Sequence, residues 1–417
     1  MRKDTIKKCN PPLPLRYFIP DVEARAFSGR LYFYGSQDLC ENHYCSQEYL
    51  VFSTADMSEF TCHGSAFSIY DSHNPGVSGF LYAPDCICKD GKYYLYYCLS
   101  DNTEGVAVAD APCGPFKNGK KIEGPSQIDP AVFIDGDGQA YYYWGQFSLK
   151  GAKLKADMAR IEPQSVTDGL LTQERHFFHE GACIRKRGGI YYCVFADVSR
   201  GAKNNPYGGA PTCLGYATAE HPLGPFTYRG VIIDNAGCDP SSWNNHGSIE
   251  CFNGQWYVFY HRATRNSVSM RRVCCEKIFF GQDGLIKEVP MTSHGAGDWL
   301  PCGGALTASL AARLGGTLYI GDGCGGKERL TNISDGDSVE YRTVKFGGNE
   351  TYALITAAGK GKISVFADGE KIGRAETGNA GAAVYKCPVR TVKGLFNLTL
   401  AFDECEKLDF YQIRFLE

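Results

Sequence analysis

The sequence has no excess of charge of either sign. It contains 43 Lys and Arg against 46 Asp and Glu, which gives a formal net charge of −3. No stripe of basic residues is interleaved with aromatics, although nucleic-acid-binding proteins need one to contact phosphates. We therefore predict no nucleic-acid partner.

Long hydrophobic runs are also missing. Nowhere do eighteen apolar residues follow one another, as a membrane-spanning helix would require. The basic residues among positions 1–10 are not followed by the apolar segment of a secretion signal. We expect a chain that is soluble and cytoplasmic and has no membrane partner.

Cysteine is abundant, but the spacings that would give it a chemical role are absent. The 19 cysteines are odd in number and include no Cys-x-x-Cys pair. Several, such as Cys98 and Cys193, fall inside strand-like runs, where cysteine packs as a small hydrophobic residue. Reduced thiols and no thiolate metal site are therefore predicted.

Helix signals are nearly absent, and a repeated β-hairpin takes their place. Five segments combine a glycine-containing turn with a following strand of aromatic or β-branched residues. They recur roughly every 45–65 residues, which is typical of four-stranded propeller blades. The turn glycines are Gly29, Gly91, Gly138, Gly189 and Gly254.

Residues that precede the first strand of each blade should converge, because radial repetition arranges those strands around one channel. Five polar residues occupy such positions. Four of them are acids, and Asp21, Asp129 and Glu180 lie in similarly built segments that we predict to start strands. The five are Asp21, Asp85, Asp129, Glu180 and His246. Taken singly, an acid before a strand is more often a turn former or cap. Their recurrence favours one shared site.

Three converging acids suit the hydrolysis of a glycosidic bond by inversion. One carboxylic acid protonates the leaving oxygen, and a carboxylate about 6.5–9.5 Å away activates water on the opposite face of the sugar. A third acid near the general acid raises the pKa of that acid by charge repulsion. Each acid would then have a separate task.

At these residues the chain resembles glycoside hydrolase family 43, five-bladed propeller enzymes that cleave arabinose, xylose and related sugars with inversion. The resemblance spans roughly residues 10–295 and rests on Ile-Pro-Asp21, Ile-Asp129-Pro-Ala and Glu180-Gly-Ala. It implies Asp21 as the general base, Asp129 as the residue that modulates the acid's pKa and orients groups, and Glu180 as the general acid. It implies no required cofactor.

The resemblance also suggests residues that bind the sugar. Asp85 either binds it or supports a residue that does. His246 in relatives helps hold a central cation, often calcium, or a water network; a hydrogen-bond anchor is the alternative. Arg271 or Arg272 reaches the sugar or an active-site carboxylate, and we favour Arg271.

Aromatic residues and two loops are further candidates for substrate recognition. The loops at 39–47 and 200–211 are where members of the family would differ in specificity. Aromatics could stack on a sugar, although most aromatics of the repeat should pack between blades. The aromatic candidates are Tyr82, Trp144, Phe147 and Trp243.

From residue 298 onward the hairpin repeat stops, so we divide the chain into residues 1–297 and 298–417. Short alternating strands predict a β-sandwich of the jelly-roll kind. Segments 335–347 and 408–415 resemble a family 6 carbohydrate-binding module, but this chain lacks the tryptophan expected after Thr377-Gly378. Packing against the propeller is an equal alternative to sugar binding. Segment 307–314 suits a short helix or a strand.

The sequence thus predicts an all-β protein: an inverting exo-glycosidase that releases a terminal pentose from short oligosaccharides. We place α-L-arabinofuranosidase first, with β-D-xylosidase or β-D-galactofuranosidase as alternatives of the same fold. A non-catalytic sugar-binding propeller is the alternative of another class. A homo-oligomer is left open.

Overall fold

The computed structural model describes residues 6–200, 210–323 and 327–417. The first nineteen strands form five antiparallel sheets, four with four strands and one with three. Each predicted hairpin lies in its own sheet, which confirms an all-β five-bladed propeller. No helix in the described ranges is long and apolar enough to cross a membrane.

The blades follow one another in chain order. The first contains β1 (Glu23–Phe27), β2 (Arg30–Tyr34), β3 (Glu48–Thr54) and β4 (Thr61–Ser68). The second contains β5 (Asp85–Lys89), β6 (Lys92–Cys98), β7 (Thr103–Ala109) and β8 (Lys117–Ser126). The third contains β9 (Ala131–Ile134), β10 (Ala140–Trp144), β11 (Ser148–Lys153) and β12 (Thr167–Thr172). The fourth contains β13 (Phe178–Arg187), β14 (Ile190–Asp197), β15 (Cys213–Ala219) and β16 (Thr227–Asp234), and the fifth contains β17 (Ser248–Phe252), β18 (Gln255–Arg262) and β19 (Arg272–Ile278).

Helical structure in the described residues is limited to single turns. The one α-helical turn, α1 (Gln173–His176), precedes β13 and is capped by Thr172, whose side chain accepts a hydrogen bond from the Arg175 amide. Short 3-10 turns occupy Ile69–Asp71, Pro163–Ser165 and Ala308–Leu310.

The glycine turns fix the hairpins, as expected from the sequence. Ser28 and Gly29 have φ of 47° and 76°, and Asn253 and Gly254 have φ of 50° and 78°. Two successive positive φ values characterise the type I′ turn, whose twist matches that of antiparallel strands. The inner hairpin of the blade is therefore encoded locally.

The inner strands β1, β5, β9, β13 and β17 form a ring, because each contacts the inner strand of the next blade. Ser248 closes the ring: its hydroxyl donates to Val22 O at 2.8 Å and accepts from Ala24 N at 3.0 Å. The segments that lead into these strands consequently meet around one channel.

Aromatic side chains fill the space between blades. Strand β10 illustrates the rule of alternating faces: Tyr141 and Tyr143 pack toward the fourth blade, and Tyr142 and Trp144 toward the second. Trp144 is 3% exposed. The prediction that it stacks on a sugar is therefore wrong, and it belongs to the inter-blade core.

The C-terminal part has a different architecture, a single hydrogen-bonded network of ten strands. Its first strands are β20 (Leu300–Pro301), β21 (Leu306–Thr307), β22 (Arg313–Gly315), β23 (Tyr319–Asp322) and β24 (Glu328–Thr331). The remainder are β25 (Ser338–Gly347), β26 (Tyr352–Ala367), β27 (Glu370–Thr377), β28 (Ala383–Pro388) and β29 (Lys393–Leu416). The predicted boundary at 297/298 falls in the interval between β19 and β20. Segment 307–314 contains both a 3-10 turn and strand residues, so each alternative held in part.

Buried polar contacts fasten this part to the propeller. Arg272 pairs with Glu328 at 2.6 Å, and the Arg262 guanidinium donates to Ala311 O at 3.1 Å. Leu314 N donates to Gly237 O at 2.7 Å. Arg272 is therefore part of the junction between the two parts.

Candidate active site

A cavity of about 620 Å³ receives side chains from all five blades. Asp21, Asp129 and Glu180 all line it, and His246 and Arg271 do so as well. Five of the six predicted site residues therefore meet in one place. This volume lies within the usual range for small-ligand pockets.

Asp21 lies in the turn before β1, with a φ of 56° and 6% exposure. Its Oδ2 accepts from Ser36 Oγ at 2.8 Å, and its Oδ1 accepts from an Arg271 nitrogen at 2.9 Å. Burial, the largest influence, would raise the pKa of Asp21, but the charge of Arg271 and the interactions with His261 and His246 together hold that pKa well below its usual value. Asp21 is therefore an ionised carboxylate, the form that a general base requires.

Arg271 is fixed by a second carboxylate. Its backbone N and its Nε both donate to Asp38 Oδ2, at 3.0 and 2.9 Å, and one terminal nitrogen donates to Asp38 Oδ1 at 3.0 Å. The Tyr44 ring covers the guanidinium at 4.6 Å. The Arg271 guanidinium that contacts Asp21 is thus held in one position. The prediction that this arginine reaches an active-site carboxylate agrees with the geometry.

Asp129 precedes β9 with a φ of 60° and is 6% exposed. Its Oδ2 has no hydrogen-bond partner and lies 3.6 Å from His246 Nδ1. Burial first, and then the charges of Glu180, Asp21 and Glu104, raise the pKa of Asp129 well above its usual value. Asp129 therefore favours its neutral form, and the expectation that it raises the pKa of the general acid stays a prediction.

Glu180 lies inside β13, where we had expected the start of a strand. The pairing of β13 with β14 shifts register on both sides of Glu180, so the residue sits in a bulged segment. Bulges re-aim side chains next to active sites. Gln146 Nε2 donates to Glu180 Oε2 at 2.8 Å, and the His179 ring nitrogen Nε2 lies 3.7 Å from the same oxygen. The side chain is 20% exposed, which leaves it open to the cavity.

His246 packs against the backbone of the fourth blade. The absence of a side chain at Gly181, which has a φ of 66°, makes space for the His246 ring. A Cβ at this position would lie 2.7 Å from His246 Nε2. Calcium normally takes six to eight oxygen ligands, and the described ranges contain no group of three or more His, Cys, Asp or Glu side chains that could hold a metal ion. The protein groups beside His246 do not by themselves complete a calcium site, and its nearest polar contact is Asp129 Oδ2 at 3.6 Å, so both expectations for His246 stay predictions.

Asp85 does not line the cavity. It is 1% exposed and accepts hydrogen bonds from Arg25 and from Val132 N. Arg25 also contacts Glu23 at 3.3 Å, and Arg185 links Glu23 at 2.5 Å to Glu250 at 3.0 Å. These five residues, Glu23, Arg25, Asp85, Arg185 and Glu250, are called the ion chain below. The prediction that Asp85 binds sugar is not supported, because its carboxylate is already occupied by Arg25.

Aromatic residues form part of the cavity wall. Tyr82, Phe147 and Trp243 line it, in agreement with three of the four aromatic candidates. The loop at 39–47 contributes His43, Tyr44 and Cys45. Trp243 Nε1 donates to Tyr44 Oη at 2.8 Å, which ties this loop to the fifth blade. Of the second loop, residues 201–209 lie outside the described ranges, and Pro211 contacts the cavity.

Sequence reasoning missed the buried partners of the acids. His261, in β18, has its Nδ1 3.4 Å from Asp21 Oδ1. Gln146 and Ser36 were also not predicted. Their signal was weak, because each lies at a strand end or in a loop: Ser36 follows β2 of the same blade as Asp21, and Gln146 follows β10 of another blade than Glu180. Only the occurrence of His261 at the end of the fifth repeat, in Phe-Tyr-His261-Arg, could have drawn attention to it.

Known proteins match this chain in sequence and in fold. The pattern of the glycosyl hydrolases family 43 covers residues 11–286. The chain belongs to this family. It is 36% identical over 363 residues to a xylosidase/arabinosidase of Thermoclostridium stercorarium, with 75% of this chain and 73% of that one covered. As a family 43 glycoside hydrolase it acts on O-glycosidic bonds with inversion, and the family needs no cofactor.

Two solved structures show how far the fold extends. A β-xylosidase/α-arabinofuranosidase from a compost metagenome, in a calcium-free form with xylotriose, matches with a TM-score of 0.59 and 29% identity, covering 68% of this chain and 98% of that one. An arabinoxylan arabinofuranohydrolase of Bacillus subtilis, with cellotetraose, covers 100% of this family 43 chain at a TM-score of 0.57 and 24% identity. The second match shows a shared fold.

Proposed function

We propose that this family 43 enzyme is an exo-acting α-L-arabinofuranosidase that removes terminal pentoses from short oligosaccharides, with Asp21, Asp129 and Glu180 as its catalytic acids. The observation that carries the proposal is the convergence of these three acids, from three different blades, on one cavity of about 620 Å³. A compact cavity of this size suits a terminal sugar better than a long stretch of polymer.

The site supports an inverting mechanism in which each proton has a defined place. Asp21 takes a proton from water, and the water oxygen bonds to the anomeric carbon. Glu180 gives its proton to the leaving oxygen as the glycosidic bond breaks on the opposite face. Asp129 favours its neutral form. Because Asp129 and Glu180 repel each other when both are ionised, the two carboxyls together keep one proton. Solvent then restores the two protonation states.

The identity of the sugar rests on the relatives. The Thermoclostridium protein is called a xylosidase/arabinosidase, and the compost enzyme carries both activities in its name. Both names favour a pentose. They also keep β-D-xylosidase as the second candidate, because xylose and arabinofuranose differ only in ring form and in the direction of a few hydroxyls.

Release of nitrophenol from aryl glycosides tests the proposal. The panel contains α-L-arabinofuranoside, β-D-xyloside, β-D-galactofuranoside and α-L-arabinopyranoside, each assayed with the native protein, Asp21→Ala and Glu180→Ala. We expect the largest kcat/KM on the arabinofuranoside and loss of turnover in both variants. Turnover of the xyloside alone would make the enzyme a β-D-xylosidase. Sugar binding without turnover in the native protein would support the non-catalytic alternative instead.

We further propose that the C-terminal ten strands form a β-sandwich related to family 6 carbohydrate-binding modules. Buried contacts such as Arg272 with Glu328 support a role in holding the propeller. The exposed residues that follow Thr377 include no tryptophan, so sugar binding there is not favoured. Titration of the full chain carrying Glu180→Ala with xylotriose should reveal one binding site, in the propeller. A second site would assign binding to the module.

A cytoplasmic location is part of the same proposal. All 18 cysteines in the described residues are free thiols, as expected in a reducing compartment. Fractionation of cells that produce the protein, with a cytoplasmic marker enzyme as reference, tests the location. Recovery of the activity outside the cells would refute it.

A further inference from the structure

The loop between β18 and β19, residues 263–271, turns sharply at Arg265 and Asn266, which have φ of 64° and 50°. Arg271, at the end of the loop, lines the cavity, whereas this turn lies outside it. A left-handed arginine costs free energy and persists where its surroundings hold it in place. The contacts of this turn reach the C-terminal part on one side and the cavity wall on the other.

On the first side, the turn is attached to β23 of the C-terminal part. Arg265 N donates to Ile320 O at 2.8 Å, and one guanidinium nitrogen of Arg265 donates to Asp322 Oδ1 at 2.5 Å. The guanidinium also lies 4.8 Å from the centre of the ring of Phe18, a buried residue of the propeller. Arg265 therefore connects the two parts of the chain through both its backbone and its side chain.

On the other side, the same turn is attached to the loop at 39–47. Ser267 Oγ donates to Glu41 O and Ser269 Oγ donates to Cys40 O, each at 2.9 Å. Both serines are buried, so water competes little for these hydrogen bonds. A second nitrogen of the guanidinium that contacts β23 lies 3.7 Å from Glu41 Oε1. One guanidinium thus contacts an acid of the C-terminal part and an acid of this loop.

The loop at 39–47 forms part of the cavity wall directly after these attachment points. His43, Tyr44 and Cys45 line the cavity. Tyr44 Oη accepts a hydrogen bond from Trp243 Nε1 at 2.8 Å, and Trp243 is a further residue of the wall. A shift of the loop would therefore change the shape of the cavity where the substrate binds.

The proposed base has a separate support. Asp38, which precedes the loop, accepts three hydrogen bonds from Arg271. Arg271 in turn donates to Asp21 at 2.9 Å. Loosening of the loop should consequently affect the binding of the sugar more than the chemical step.

We propose that Arg265 is a positioning residue for substrate binding: it transmits the packing of the C-terminal part to the loop at 39–47 and so sets the affinity of the cavity for its sugar. The inference rests on the proposed function of the cavity, and it gives the C-terminal part a role that requires no sugar bound there. The side chains of Asp322 and Glu41 are 68% and 53% exposed. Exposed ion pairs are individually weak, so the expected effect is a moderate change in affinity.

Steady-state kinetics of the full chain, on the aryl glycoside that the native protein hydrolyses, provides the first test. Arg265→Met removes the guanidinium and keeps an unbranched side chain. We expect KM to rise about threefold to tenfold, with kcat per folded molecule within about twofold. A purely structural role predicts a lower unfolding temperature with a native KM in the folded molecules, and that result would overturn the inference.

Arg390→Met is the matched control for this variant. Arg390 combines the same two kinds of contact inside the C-terminal part: its N donates to Ile372 O at 2.7 Å, and its guanidinium pairs with the exposed Glu370 at 2.5 Å. Arg390→Met should keep the native kcat and KM. An equal rise of KM in the control would overturn the inference, because the path through the loop at 39–47 would then not matter.

A double-variant cycle tests whether the effect originates in the C-terminal part. Asp322→Ala removes the far end of the ion pair and should raise KM by a smaller factor than Arg265→Met. If the two residues act through one contact, Asp322→Ala should change KM no further in the Arg265→Met background. Independent, multiplying changes of KM, or a native KM in Asp322→Ala, would refute the connection between the two parts.

The inference and the proposed function can fail separately. In the Glu180→Ala background, calorimetric titration with xylotriose measures binding without turnover, and Arg265→Met should raise the dissociation constant there as well. Turnover by the native protein together with unchanged KM and dissociation constant in the Arg265 variants would refute only the inference. Absence of both turnover and xylotriose binding in the native protein would refute the proposed function and the inference with it.

Discussion

Two sets of buried carboxylates occupy the centre of this propeller, and they differ in how well they are neutralised. In the ion chain, two arginines connect three carboxylates, and each carboxylate contacts at least one guanidinium. At the cavity, the guanidinium of Arg271 donates hydrogen bonds to both Asp38 and Asp21. Asp129 has an oxygen without any partner.

The comparison shows that one radial geometry can place buried carboxylates either in a network paired with arginine or at an open cavity. Buried acids that are paired with arginine have low reactivity, and removal of a partner is costly. A perturbed pKa alone does not separate the two sets, because burial also raises the pKa of Glu23 in the ion chain, to about 7; the difference is that Asp129 at the cavity has an oxygen without a partner. The two sets should therefore respond in opposite ways to the loss of charge.

The largest effect is expected at the cavity. Asp21→Asn and Glu180→Gln each remove one proton-transfer step and should lower kcat at least about 10³-fold, with a nearly unchanged unfolding transition. Asp137→Asn is the control, because Asp137 caps a hairpin turn by accepting from Gln139 N; it should keep wild-type kcat. Steady-state kinetics and thermal unfolding measure both quantities. Substantial turnover by Glu180→Gln would contradict the assignment of the acid.

The opposite behaviour is expected in the ion chain. Arg25→Met leaves Asp85 and Glu23 each with one partner fewer in a buried setting, and it should lower the free energy of unfolding by about 3–5 kcal/mol. The kcat of the molecules that remain folded should not change. Urea unfolding followed by tryptophan fluorescence measures the loss. Lys92→Met, which breaks an exposed pair with Asp110, should be neutral; an equal loss there would show that burial does not decide the effect.

The same comparison explains what the sequence could predict. The hairpin turns and alternating aromatic strands are local signals, so all five inner hairpins were predicted, and the acids before β1 and β9 were located at the cavity. Asp85 was misassigned because it also occurs at the start of an inner strand. Its difference from Asp21 lies in Arg25, a neighbour from another blade. The same limit applies to His261, whose relation to Asp21 depends on how the fifth blade closes against the first.

A smaller effect, of unusual sign, is expected at Asp129. The pKa of this carboxyl is raised in the folded state by burial and by Glu180, so its stabilising neutral form is progressively lost as pH rises above the unfolded value of about 3.9. Asp129→Asn should therefore stabilise the protein at pH 7 by ~0.5–2 kcal/mol while lowering activity. Urea unfolding at pH 7 and pH 4 should show this gain shrinking at the lower pH. A variant that is less stable at both values would indicate an ionised, paired Asp129.

The smallest effect concerns the backbone beside Glu180, and here the chain offers a closely matched control. Gly181 and Gly188 both have positive φ, 66° and 57°, and both belong to the fourth blade. An added Cβ at Gly181 would meet the His246 ring, whereas at Gly188 it would meet nothing within 4 Å. Both alanine variants should lose about 1 kcal/mol of stability from the left-handed backbone.

Activity should distinguish the two glycine variants. Only Gly181→Ala pushes on His246, which contacts Asp129, so only this variant should lower kcat, by about threefold to tenfold if the displacement costs ~1 kcal/mol. Equal kcat in the two variants would mean that His246 can move without disturbing the acids. A selective loss at Gly181 would show that the close packing of the fourth and fifth blades, and not the acids alone, sets the geometry of the site.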